Sequence, residues 1–263
     1  MGGPDQMWSS TVLTRPGRAV LSLTIAATLG ALGGCSGEDP APTTSTAAGA
    51  TASASPSESP SQETPSIADS FRALRTAALS AESARIEGTL QRQGKSLGLE
   101  VEGTADGTNQ QLFLTVQGGG RPEVLTVGND YWLGGDEAFW VEQTGDPAAG
   151  KSMVGRYVPI GKADAEELGS FTVRSILTQK LSEPAFSAME TSSDAVRTDE
   201  VGGSPAYVLD GGDGAQLWVA ADGSATLLRL VGSSDAPADL AFSLWDRAQT
   251  FTPPPPSSVV DEG

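Results

Sequence analysis

Through most of residues 67–252 apolar and polar residues alternate, and helical spacing replaces this in only two places. Residues 84–92 (ARIEGTLQR), 96–103 (SLGLEVEG) and 110–117 (QQLFLTVQ) each alternate and are separated by turn residues such as Asp106-Gly107. That is the pattern of half-buried strands joined as hairpins. Residues 121–127, 131–133 and 138–143 continue the meander, and strands resume at 195–201, 205–210, 215–220, 225–231 and 239–245. The first helical stretch is 67–79, where Ile67, Phe71, Leu74 and Ala78 share a face and Ser66 is placed to cap it. The second is 164–181, with acidic residues early and Leu168, Phe171, Ile176, Leu177 and Leu181 on an apolar face. Gly169-Ser170 splits it into two short helices, and Pro184 lies beyond its end. The expectation is one α+β domain of consecutive antiparallel hairpins with helices inserted mid-chain.

Leu90, Leu99, Val101, Leu112, Leu114, Val116, Leu217, Val219, Leu228, Leu230, Phe242 and Leu244 fall on alternate positions of these strands. They predict one apolar face on a broad sheet, and such a face has to be covered. Either the helices fill it as an ordinary core, or they cover part of it and leave a cavity for an apolar ligand. If a ligand exists, these residues are the candidates to contact it; periodicity alone does not choose.

The N-terminus carries a different signal. Arg15 and Arg18 precede a mostly apolar run, 19–32, that suits a secretory signal and is shorter than the roughly 20 residues a membrane-spanning helix needs. It ends in Leu32-Gly33-Gly34-Cys35. This resembles the lipobox of bacterial lipoprotein precursors, which implies cleavage after residue 34 and a diacylglyceryl group on the Cys35 thiol, holding the chain at the extracytoplasmic face of the cell membrane. Residues 36–66 are almost wholly Ser, Thr, Ala, Pro, Gly and Glu. With no large apolar side chain to bury, such a segment cannot offset its ordering entropy. It reads as a tether of about 100 Å maximum reach at roughly 3.3 Å per residue. Residues 253–263 open with four prolines and read as a disordered or extended tail. The domain expectation is therefore 1–34 signal peptide, 35–66 lipidated tether, 67–252 folded domain and 253–263 tail.

Charge and composition narrow the function. The chain has 16 basic and 33 acidic residues, a net −17. Without Arg15, Arg18 and Asp5 the mature part has 14 and 32, a net −18. So acidic a chain is not drawn to nucleic acid. Cys35 is the only cysteine, so no disulfide holds the domain, and histidine is absent. That removes a Ser-His-Asp triad, the usual neutral-pH base and the commonest metal ligand.

Four motifs mimic chemistry without the context it needs. Residues 145–152 (GDPAAGKS) match a phosphate-binding P-loop at every defined position. Such a loop offers consecutive backbone N–H groups, whereas Pro147 has none and Asp146 brings negative charge; the segment reads as a Gly/Pro loop after a hairpin strand. Asp210-Gly-Gly-Asp213-Gly lacks the spaced ligands of a calcium loop and reads as a turn. Glu166-Glu167 fits a helix start, and Asp136-Glu137 a turn. No enzyme, metal site or cofactor is expected.

The order of segments is itself informative. An N-terminal helix, a meander containing NDYWLGGDEAFW (129–140), a helical insertion, then VGGSPAYVLD (201–210), LWVAADG (217–223) and LAFSLWD (240–246) follow one another. Over residues 67–255 this is similar to the actinobacterial LppX/LprG-type lipoproteins. The resemblance implies a LolA/LolB-like fold: a curved antiparallel sheet, an unclosed half-barrel, with helices on its concave face. It also implies binding of an acylated lipid or lipoglycan in the cell envelope. No ligand-contact residue transfers by matching; only Cys35 carries over, through the lipobox. The rival expectation is a non-catalytic envelope interaction module with a filled core, using a surface such as Trp132 and Trp140.

Overall fold

Ser66 caps the first helix in the computed structural model, which describes residues 64–260 apart from 93, 117, 169 and 170. The side chains of 92, 116, 167 and 168 also lie outside the described part. The Ser66 hydroxyl accepts from the Asp69 N–H (3.1 Å) at the start of α1 (Ile67–Ser80). On the inward face of α1, Phe71 and Leu74 are fully buried, each contributing about 1.5–3 kcal/mol relative to exposure.

Eleven strands follow among the described residues: β1 (Ser83–Arg92), β2 (Lys95–Thr104), β3 (Asn109–Val116), β4 (Pro122–Val127), β5 (Asp130–Gly135), β6 (Val158–Ile160), β7 (Arg197–Val201), β8 (Ser204–Asp210), β9 (Gln216–Ala220), β10 (Leu227–Val231) and β11 (Ala238–Ser243). They form one antiparallel sheet ordered β6-β5-β4-β3-β2-β1-β11-β10-β9-β8-β7. Its two meanders meet where β1 pairs with β11, Ile86 opposite Phe242. The edges β6 and β7 do not pair with each other, so the sheet is not closed. Gly88 sits in that central seam with φ +146°, where a Cβ would lie 2.0 Å from the Asp239 carbonyl oxygen. Only glycine fits there.

Among the described residues six α-helices lie between or before the strands: α1, then α2 (Glu137–Thr144) and α3 (Pro147–Met153) between β5 and β6, then α4 (Lys162–Leu168), α5 (Val173–Leu181) and α6 (Pro184–Ser187) between β6 and β7. The Thr172/Ser175 capping box starts α5. Arg174 then ties it to two neighbours, its backbone N–H donating to Ala105 O just after β2 and its Nη1 to Leu79 O in α1. One buried cluster runs from Leu133 in β5 through Leu112, Leu99, Ile86, Leu240 and Leu217 to Leu209 in β8, with α1, α5, Phe139, Trp140 and Phe186 packed on it. A smaller cluster, Ala206, Val208 and Trp218, lies on alternate positions of β8 and β9 and therefore on the opposite face.

Three expectations need correction. Residues 138–143 are helical, not a strand: the Asp136 carboxylate accepts from the Phe139 N–H (2.8 Å), and Gly145 closes α2 in the left-handed conformation. The adjacent Phe139 and Trp140 are both buried, which period-two alternation cannot achieve but one helix face can. The supposed Gly/Pro loop 145–152 is instead this helix end followed by α3, with Asp146 as its cap and Pro147 in the first turn. Finally, residues 253–260 do not hang free. Tyr157 N–H donates to Ser258 O (2.8 Å) and Val260 N–H to Tyr157 O (2.8 Å), a parallel bridge beside β6, and Pro254 is buried.

Candidate ligand pocket

Space remains between the sheet and α5 at one end of the covered face. A pocket of about 330 Å³ opens between the end of β1 (Leu90, Gln91) and Phe171, Ser175, Ile176, Gln179 and Lys180 at and before α5. This is the small end of the 300–1,000 Å³ range typical of ligand sites. Leu90 and Ile176 are buried and form its apolar side; Gln91 and Gln179 are exposed at its rim. The Phe171 carbonyl accepts from Gln110 Nε2 (3.4 Å), and Gln110 Oε1 is buried with no partner among the described residues. Lys180 is the unusual member. It is only 8% exposed, and its Nζ donates to Glu183 Oε1 (2.8 Å).

Away from this end the covered face is filled by side chains. Trp140, Phe71, Phe186, Leu112, Leu114, Leu133, Leu177 and Leu181 are essentially inaccessible. The larger depression, about 410 Å³, lies against the outward residues of β1–β3. There Glu100 bridges Arg85 (2.8 Å) and Arg121 (2.7 Å), and the Arg121 guanidinium covers the Phe113 ring at 3.9 Å. Among the described residues no cluster of His, Cys, Asp and Glu is suited to a metal.

The twelve residues expected on one apolar face divide as follows. Leu90, Leu99, Val101, Leu112, Leu114, Leu217, Val219, Leu230 and Phe242 all join the large cluster beneath the helices. Only Leu90 lines the pocket. Leu228 does not share the face. The β9–β10 register shifts between Leu227 and Arg229, so Leu227 and Leu230 point to the large cluster while Leu228 packs against the small one. Leu244 lies beyond β11, 38% exposed and at φ +53°. The Val116 side chain and all of Cys35 lie outside the described residues. Gln91, Gln179 and Lys180 were not anticipated, although the sequence holds a signal for the last. Lys180 interrupts the stripe Val173, Ile176, Leu177, Leu181 at a buried position of α5.

Among solved structures the chain is similar to LprF from Mycobacterium bovis, at 14% identity over 73% of this chain and 99% of that one, with a TM-score of 0.44. It is also similar to the Mycobacterium tuberculosis lipoprotein LppX, at 13% identity over 68% and 94% of the two chains, TM-score 0.37. These neighbours are lipoproteins of the LppX/LprG type. A third likeness is to the Pseudomonas aeruginosa MucA/MucB complex, at 16% identity over 73% of this chain and 59% of that one, TM-score 0.28. No family model and no curated protein matches the sequence.

Proposed function

We propose that this protein is an envelope lipoprotein, anchored through diacylglyceryl-Cys35 at the extracytoplasmic face of the cell membrane, that binds the acyl chain of a lipid or lipoglycan without chemical turnover. The pocket between β1 and α5 carries the reading. It has several hundred Å³, an apolar side made by Leu90 and Ile176 and a polar rim, which together suit an amphipathic ligand better than a wholly apolar one. Residues 36–63 then act as the tether from the anchor to α1, keeping the domain near the membrane.

The filled core beneath the other helices favours a second reading, a non-catalytic interaction module that holds a protein partner. Native mass spectrometry separates the two. The full chain with Cys35→Ala, purified from its own envelope, is expected to retain a lipid mass that Ile176→Phe removes. A folded chain that carries no lipid would leave the interaction module.

A further inference from the structure

The polar group of the ligand can be described more closely, given the pocket reading above. Among the described residues Lys180 is the only cation lining the pocket, and its charge is already offset by Glu183. Its side chain is 9% exposed and that of Glu183 18%, so the pair at 2.8 Å is largely withdrawn from water. A buried pair of this kind is held by its partners; removing one leaves an uncompensated charge. Glu183 Oε1 accepts a hydrogen bond from Lys180 Nζ, while Glu183 Oε2 is buried with no hydrogen-bond partner among the described residues; Glu183 itself stands behind Lys180 and does not line the pocket. Closed off from the pocket, the carboxylate acts on a ligand through its charge rather than by contact: it offsets Lys180 and repels a second anion. The exposed rim amides, Gln91 and Gln179, each offer both donor and acceptor. Two described cations nearby in sequence, Lys95 at the hairpin end of β2 and Arg174 in α5, are exposed and do not line the pocket.

We propose that the Lys180–Glu183 pair is a charge filter at the pocket, selecting an acyl ligand with an uncharged, hydroxyl-bearing head and rejecting a fatty acid or other anionic head. Glu183 is then the specificity-determining residue. With its charge in place, the pocket presents Lys180 as a hydrogen-bond donor without net positive charge; with the charge removed, Lys180 becomes a free ammonium facing the ligand. The rest of the rim serves both kinds of head equally.

The test is isothermal titration of the full Cys35→Ala chain with 1-monolauroylglycerol and with laurate, which share one acyl chain, each below its micelle concentration. The glyceride is expected to bind at least about ten-fold more tightly than laurate, and Glu183→Gln to abolish or invert that ratio. Gln179→Lys, on the exposed rim, tolerates any cost at the buried pair and is expected to strengthen laurate binding several-fold relative to the glyceride. Equal binding of both probes by the parent chain, or ratios unmoved by either substitution, overturns the filter while leaving the pocket. Binding of neither probe overturns the pocket reading itself and the filter with it.

Discussion

Replacing Asn109 should release the C-terminal segment from the sheet. At the start of β3, its Nδ2 donates to the Phe251 carbonyl (2.9 Å) and its Oδ1 accepts from the Phe251 N–H (2.8 Å). One side chain thus does what a neighbouring strand would do. The path before it is held by Ala248 N–H to Ser83 Oγ (3.3 Å) and Gln249 N–H to Glu102 Oε1 (3.0 Å), and the path after it by the Tyr157 bridge. Two part-buried hydrogen bonds at about 0.5–1.5 kcal/mol each make Asn109→Ala worth about 1–3 kcal/mol. Because the segment leaves without unfolding the sheet, the loss should be local. Amide exchange of residues 249–260 is expected to quicken about 5- to 150-fold, that energy expressed as an equilibrium constant, while β1–β3 amides keep their protection. Asn109→Asp keeps the acceptor but turns a carboxylate oxygen toward the Phe251 carbonyl, and should loosen the segment at least as much as alanine does. Unchanged exchange at 249–260 in Asn109→Ala would refute the tie; equal quickening in β1–β3 would show the segment to be part of the global unit.

Alkaline titration probes the same segment from its other end. Burial, reinforced by the hydrogen bond to Glu123, pushes the Tyr157 phenol up to about 12. A raised value contributes stability that is complete below the ordinary value near 10 and disappears as pH climbs through about 12. Ultraviolet titration at the phenolate band should show one tyrosine ionising late, and Tyr157→Phe should remove that step; no late step would contradict the placement. At the acid end, the Arg229 guanidinium holds the Asp239 carboxyl below its usual value (2.7 Å), so the pair stays effective above about pH 4 and fails as pH falls through the lowered value. Arg229→Gln should flatten that part of the acid denaturation curve. Asp136→Ala removes the cap of α2 and an acceptor for the Arg121 N–H (3.0 Å), and should cost about 0.5–2 kcal/mol in urea unfolding. Ile176→Phe places extra volume where the pocket can absorb it. Its stability cost should fall below the roughly 1–3 kcal/mol of ordinary overpacking, while ligand binding is lost.

Much of this architecture was legible because alternation is a local signal with a local cause. Nine of the twelve apolar positions share the covered face as their spacing requires, and Ser66, Phe71 and Leu74 do what the helical pattern assigns them. Where reading failed, a non-local feature intervened. Leu228 is turned outward by a register shift that depends on β9, and no property of residues 225–231 alone announces it. Residues 138–143 are too short for periodicity to separate helix from strand, and the deciding cap, Asp136, looks equally at home in a turn. Strand β6 escaped notice because it has three residues, one of them Pro159, a residue that a sheet accepts only at its edge. The proline-rich end reads as a disordered or extended tail, yet backbone bonds to Tyr157 hold it after the Asn109 side chain has fixed Phe251, and both partners are distant in sequence. The pocket was the least legible part. Its position depends on where α5 stops covering β1, and only Lys180 within an apolar stripe hinted at it.

The most direct test of ligand binding is hydrogen exchange of the full Cys35→Ala chain with and without saturating 1-monolauroylglycerol. Binding in the pocket predicts slowed exchange at Leu90 and Gln91 of β1 and throughout α5, with Gly88, Glu100, Phe113 and their neighbours on the outward face unchanged. Protection confined to the outward face, or none at all with the glyceride present, would contradict the account.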